Sequence, residues 1–260
     1  MFVGILGVPY LTISSMNDQE KLQALADSLP AGSPPQVITI ASQKGGVGKT
    51  TLTMLTATYL YALGMRIMVI DADKPQHSIH KMRLKELNDL NGDAALKAVY
   101  DEKGLSPYKI IESSIDEAGN VLPIIIDSGQ FDYIFLDLPG TLNVAGMSVL
   151  ASHIDKLIIP MEQDQKTFAS GFETVAFYRS IKPEIPIGLL WNRIKPSESK
   201  TFMKAVNDHA SMNVGLHILN TVFFDRVTLK RSSSTLHPSD DELLVNFIRE
   251  LISEGGFLHI

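Results

Sequence analysis

The run Ser42-Gln43-Lys44-Gly45-Gly46-Val47-Gly48-Lys49-Thr50-Thr51 places three glycines, two lysines and two threonines directly after the apolar stretch Val37-Ile38-Thr39-Ile40-Ala41. Glycines at this spacing let a chain leaving a strand curl until successive N–H groups face one space. A helix starting at the far side turns its positive dipole end toward the same space. Several anionic oxygens on one ligand suit such a cradle, as in a nucleoside triphosphate. The backbone from Lys44 through Gly45, Gly46, Val47 and Gly48 to Thr51 would line it. Lys49 would reach the β- and γ-phosphates and the Thr50 hydroxyl would ligate Mg2+. The alternative is a glycine-rich turn with solvated lysines, which accounts less well for a strand before it and the helix-forming run Thr51 to Leu63 after it.

Two further segments bring carboxylates to strand ends. Ile67-Met68-Val69-Ile70 closes in Asp71-Ala72-Asp73-Lys74-Pro75-Gln76-His77-Ser78. Paired acids at the mouth of a sheet call for a cation, and Mg2+ with its waters takes oxygen ligands and relieves their repulsion. Asp73 is then the candidate to hold an attacking water, with Asp71 in the outer magnesium shell. The alternative is a pair of solvated loop acids, and His77 reads as a surface histidine. Phe131-Asp132-Tyr133-Ile134-Phe135-Leu136-Asp137-Leu138-Pro139-Gly140 is an apolar strand closed by an aspartate and a tight turn. Asp137 would bind Mg2+ through water, and the Gly140 N–H would lie near the γ-phosphate; otherwise Asp137 caps a helix expected over 143–151. No Ser-His-Asp set or histidine-rich metal spacing competes, and phosphoryl transfer needs neither.

The elements that must position these groups follow from the apolar pattern. Strand-like runs at Ile67 to Ile70, Tyr108 to Ile111, Tyr133 to Leu136, Lys156 to Ile159, Ile187 to Trp191 and His217 to Phe223 follow the first, with helical patterns between most of them. Strands apolar throughout and separated by helices predict an α/β fold, a doubly wound, mostly parallel sheet with helices on both faces. Ligands of such sheets bind beyond the carboxyl ends of the strands, where the glycine loop and the acids fall.

With 260 residues, 45% of them hydrophobic and 20% charged, one large domain over 37–260 suffices. Residues 1–36 read as an extension, with a short helix over Asn17 to Leu29 and the linker Pro30-Ala31-Gly32-Ser33-Pro34-Pro35. Its apolar start lacks a basic leader and is expected to be neither signal nor anchor. The absence of cysteine excludes disulfides, thiolate metal sites and cysteine nucleophiles. A net charge of −6 argues against a wholly basic nucleic-acid coat, though not against a local basic patch.

Lys-Gly-Gly-Val-Gly-Lys-Thr with Gln43 before it resembles the deviant Walker A loop of the ParA/MinD superfamily, and the glutamine favours the ParA branch. Asp71 to Ser78 resembles the switch I segment of ParA proteins with Lys74 inserted, a form similar to that of ParA-like ATPases of Bacteroidetes conjugative elements, sometimes called TraA. Asp137 to Gly140 resembles a Walker B segment leading into switch II. The resemblance covers Val37 to Glu254, and the absent cysteines separate the chain from Fe–S-bridged relatives such as the nitrogenase iron protein.

The resemblance implies a Mg2+-dependent ATPase that binds ATP and ADP, with Lys44 crossing the interface of an ATP-dependent homodimer to touch the partner's nucleotide. Asn192, with Arg193, would lie against the adenine, and Phe224 and Asp225 would form a base-facing wall, unless Phe223 and Phe224 are simply a core pair. It further implies nonspecific DNA binding, for which Arg226, Lys230 and Arg231 form the best basic cluster. A ParB-like or transfer-system partner would stimulate hydrolysis, in a cytoplasmic and in some settings nucleoid-associated protein serving plasmid or mobile-element partition. A MinD-like membrane-positioning ATPase and a regulatory or biosynthetic ATPase are the alternatives. The apolar stripe of Asp240 to Glu254 reads as a core-covering last helix rather than a membrane anchor.

Overall fold

The computed structural model describes residues 34–102, 106–195, 200–225 and 233–252. The proposed helix over Asn17 to Leu29 and most of the extension lie outside these residues. Seven strands form one sheet: β1 (Gln36–Ile40), β2 (Ile67–Asp71), β3 (Lys109–Glu112), β4 (Tyr133–Asp137), β5 (Lys156–Met161), β6 (Ile187–Ile194) and β7 (His217–Phe224). Their order is β3-β2-β4-β1-β5-β6-β7 and every pairing is parallel. The helices among the described residues are α1 (Lys49–Ala62), α2 (Ser78–Gly92), α3 (Ala94–Glu102), α4 (Ile115–Asp127), α5 (Met147–Ser152), α6 (Gln165–Ile181), α7 (Lys200–Val214) and α8 (Glu242–Ile252).

Alternation along each strand explains why the central strands are apolar at most positions, with the buried Thr39 hydroxyl of β1 donating to the Leu136 carbonyl. In β1, Ile38 and Ile40 face one side and join α1, α2 and α8, whereas Val37 and the following Ala41 face the other and join α4, α5, α6 and α7. A strand with a core on each face has no polar side to show. The doubly wound reading is thus borne out. β1 lies between β4 and β5, where the winding reverses, and so its carboxyl end opens into the crevice of the sheet.

One helix expectation is corrected. The segment after Asp137 is irregular until Met147, and α5 covers only Met147–Ser152 with Gly146 in the left-handed conformation at its start, so Asp137 caps no helix. The last helix conforms to the core-covering reading, with Leu244, Val245, Phe247, Ile248, Leu251 and Ile252 all buried. Phe247 stacks edge-on against Phe223 of β7, ring centroids 5.8 Å apart.

Because Phe247 is fully buried, Phe247→Ala is expected to destabilise the fold by about 3–5 kcal/mol, read as a lower urea midpoint at unchanged slope.

Candidate functional site

The glycine run turns from β1 into α1 as expected. Gly48 adopts φ 92° and stands at the N-cap of α1 with no side-chain cap and no acid in the first turn. The first amides of a 14-residue helix therefore face outward without a protein acceptor from a capping side chain, a ready site for an anion. A Cβ at Gly140 would lie 3.2 Å from the Gln43 carbonyl oxygen and 3.6 Å from Lys49 Nζ, so the turn after β4 presses against the loop.

Parallel pairing sets Asp71 and Asp137 side by side, in register at the ends of neighbouring strands and both fully buried. Asp71 Oδ2 accepts hydrogen bonds from the Ile79 and His80 amides at 2.9 and 3.0 Å, tying the start of α2 to the strand. Asp137 Oδ1 accepts from the Thr50 hydroxyl at 3.2 Å. The other oxygen of each, Asp71 Oδ1 and Asp137 Oδ2, is buried without a hydrogen-bond partner. Burial, reinforced by Asp71, pushes the Asp137 carboxyl up to about 7, against the Thr50 hydrogen bond and the Lys49 charge. Burial likewise lowers Lys49, against the pull of Asp137 and Asp73, and raises half-buried Asp73.

These residues fit a hydrated divalent cation beside a polyphosphate. Two orphaned carboxylate oxygens and a hydroxyl supply hard donors, and the uncapped α1 terminus with Lys49 supplies the complement for anionic oxygens. The inserted Lys74 is exposed, and the Lys49 charge works against the burial that raises Asp73. His77, part-buried rather than on the surface, stands at φ 41° with Nδ1 3.0 Å from the Asp71 carbonyl oxygen.

The second lysine of the loop, Lys44, is engaged by side chains that follow β5. Its ammonium is held within its own chain, 2.7 Å from Glu162 Oε2, 2.6 Å from Asp164 Oδ2 and 2.9 Å from the Thr167 hydroxyl. Burial works against both charges, but the mutual bonds prevail, raising Lys44 and holding Asp164 well below the usual carboxylate range. Asp164 also caps α6, its Oδ1 accepting from the Lys166 and Thr167 amides. None of these three partners was singled out from sequence, although an acid immediately before a helix-forming run was a visible capping signal.

Asn192 and Arg193 are brought to the loop. Asn192 Nδ2 donates to the Val47 carbonyl at 2.7 Å, and Arg193 Nη1 donates to the Gly46 carbonyl at 2.8 Å. Asp225 lies within 3.7 Å of Arg193 Nε, and Phe224 beside it is partly exposed at the end of β7. Phe223 belongs to the core, so the two phenylalanines part company rather than forming a core pair. Trp191 is buried packing whose Nε1 donates to Asn207. Arg226, Lys230 and Arg231 lie outside the described residues.

A family model described as the CobQ/CobB/MinD/ParA nucleotide binding domain matches residues 38–238. The chromosome partitioning protein ParA of Caulobacter vibrioides is 29% identical over 156 residues, 51% of this chain and 58% of the relative. An uncharacterized ATP-binding protein of Methanocaldococcus jannaschii is 35% identical over 145 residues, 47% of this chain and 51% of the relative. The chain thus spans little more than half the length of these curated relatives. Among solved structures, the MinC:MinD cell division protein complex of Aquifex aeolicus superposes with a TM-score of 0.62 at 23% identity, covering 84% of this chain and 96% of that one.

The raised Asp137 is a stability liability in the ligand-free protein. A carboxyl with a folded value near 7 costs stability in full above that pH, and the cost fades as pH falls toward the unfolded value of about 4. Asp137→Asn is therefore expected to melt several degrees above wild type at pH 8, at ~2–4 °C per kcal/mol, and to converge with it toward pH 4 in a metal-free thermal scan.

Proposed function

The chain belongs to the family of CobQ/CobB/MinD/ParA nucleotide-binding domains, and on that premise we propose that it is a Mg2+-dependent ATP hydrolase of the ParA kind. In this reading an ATP-dependent homodimer partitions or positions DNA, the domain comprises 37–260, and 1–36 is an appended extension. The observation that carries it is the convergence of the uncapped α1 terminus, the Lys49 ammonium and two buried carboxylates, each with an unpartnered oxygen, on one space.

Lys49 and the loop amides would hold the β- and γ-phosphates, and Thr50, Asp137 and Asp71 would hold the cation and its waters. The cation, when bound, would supply charge neutralisation on the phosphate oxygens. Asp73 would orient the attacking water, and the Gly140 N–H would report the γ-phosphate to the segment after it, in the manner of a switch. Nonspecific DNA would be held through Arg226, Lys230 and Arg231, and a ParB-like or transfer-system partner would trigger hydrolysis.

The cis contact of Lys44 bears on the proposed dimer, since a lysine that completes the partner's site must first leave Glu162, Asp164 and Thr167. A MinD-like membrane role is the alternative that the same fold permits. The buried apolar stripe of α8 disfavours it, because a helix whose apolar face is used in the core has none to lay on lipid. Among the described residues no helix is long and apolar enough to cross a membrane.

Cosedimentation with nonspecific DNA and with anionic liposomes, each with and without ATP, tests the reading. DNA binding that requires ATP and is lost in Lys44→Ala is expected; ATP-dependent liposome binding without DNA binding would overturn the ParA assignment. Asp73→Ala is expected to keep ATP affinity while lowering kcat roughly 100-fold. Asp164→Asn retains a capping oxygen but loses the charge on Lys44, a part-exposed pair worth about 1 kcal/mol. The ATP-dependent dimer should then form at severalfold lower protein concentration in sedimentation velocity.

A further inference from the structure

The turn that carries Asp73 runs between two elements that Asp71 joins. Asp71 Oδ2 accepts the Ile79 and His80 amides at the start of α2, and so does the capping that the residue before a helix ordinarily does. His77 occupies that preceding place, and its side chain makes no cap. It nevertheless takes φ 41° and ψ 53°, a left-handed backbone uncommon for a residue with a side chain. A costly backbone that caps nothing calls for another use.

The imidazole turns back to the strand. Its Nδ1 stands 3.0 Å from the Asp71 carbonyl oxygen, which can only accept, so Nδ1 carries the proton of that bond. The same carbonyl takes the Ser113 amide at 3.0 Å, joining β2 to the chain after β3. The His77 amide meanwhile donates to the Asp73 carbonyl at 2.9 Å. One residue thus grips the main chain on both sides of Ala72, at Asp71 through its ring and at Asp73 through its backbone. The ring is only 12% exposed. Burial raises the Asp73 carboxyl, Lys49 opposes that rise, and the His77 ring is close enough to act on it as well.

We infer that His77 is a positioning residue for Asp73: its ring, locked onto the end of β2, fixes the turn 73–77 and so holds the Asp73 carboxylate in place beside Lys49. The inference rests on the reading that Asp73 orients the attacking water. Holding that carboxylate affects the rate of the chemical step and not the affinity for a nucleotide whose phosphates are bound by other groups.

Two substitutions separate the ring's role from a need for left-handed backbone alone. Glycine accepts φ 41° without strain but has no ring, whereas asparagine tolerates that conformation and can donate from close to where Nδ1 stands. His77→Gly is expected to melt within about 3 °C of wild type. By calorimetry it should keep its Mg2+-ATP affinity within about twofold while hydrolysing ATP about tenfold more slowly, and His77→Asn should keep most of the rate. In an Asp73→Ala background the same glycine change should cost less than about twofold, because a residue acting through Asp73 has nothing left to position. Amide exchange of the ligand-free proteins reads the turn directly. Residues 73–77 should exchange about tenfold faster in His77→Gly than in His77→Asn, with β2 and β4 keeping their protection. An unchanged rate in His77→Gly would overturn the inference, as would an equal loss in His77→Asn or an additive loss in Asp73→Ala. A His77→Gly protein that melts far below wild type would also overturn it, since the ring would then be a prop of the whole fold. If wild type hydrolyses no ATP, the ATPase reading fails and the exchange comparison still decides the clamp: a difference between the two variants upholds it, and no difference overturns it.

Discussion

Two carboxylates buried side by side constrain most of what surrounds them. Asp71 and Asp137 end adjacent parallel strands in register, and neither has solvent to disperse its charge. Each has one oxygen served by the protein and one without a hydrogen-bond partner. Like charges in a dry setting disfavour ionisation, which is why Asp137 is pushed up and why the pair suits a cation better than it suits the empty fold. The neighbouring elements are arranged around this strain. Lys49 stands close enough to offset part of it, Thr50 donates to one acid, and the first amides of α2 anchor the other.

The same groups join elements distant in the chain. Asp71 ties the end of β2 to the start of α2 across the loop that carries Asp73, so the candidate water-holding residue is suspended between two fixed points. Farther along α2, buried Arg83 donates to the Tyr108 carbonyl and to the hydroxyl and carbonyl of Thr235, which fixes the helix at a second place. On the other side of the glycine loop, Glu162 divides its oxygens between Lys44 and Arg193, linking the second lysine of the loop to the residue that supports Gly46. The glycine loop and the ends of β5 and β6 thus share hydrogen-bonded partners, and movement of Lys44 would alter the surroundings of Arg193.

Much of this was legible in the chain itself. The seven strands fall where apolar runs of the right length occur, because a strand buried on both faces has to be apolar throughout and few other segments are. The glycine loop, Lys49, Thr50, Asp71 and Asp137 were identifiable because glycines and acids at strand ends have few structural uses that would put them there. The helix expected over 143–151 was less legible: the chain after Asp137 carries no strong start signal, and α5 begins only after the left-handed Gly146. Glu162, Asp164 and Thr167 were missed as partners of Lys44, since they lie more than a hundred residues from it and resemble ordinary polar residues at a helix start.

Residue type and spacing alone determined that a doubly wound parallel sheet would form and that its phosphate loop and acids would meet at the carboxyl edge. Local backbone chemistry and the two-sided burial of strands are both written in short stretches of chain. Tertiary structure decided where the side chains on that edge point. It pairs Lys44 with acids of its own chain, and it brings Asn192 and Arg193 to the Val47 and Gly46 carbonyls beside an irregularity between β6 and β7. Those outcomes depend on which donors and acceptors a folded sheet brings within about 3 Å, and hydrogen bonds of that length join residues whose separation along the chain carries no trace of the contact.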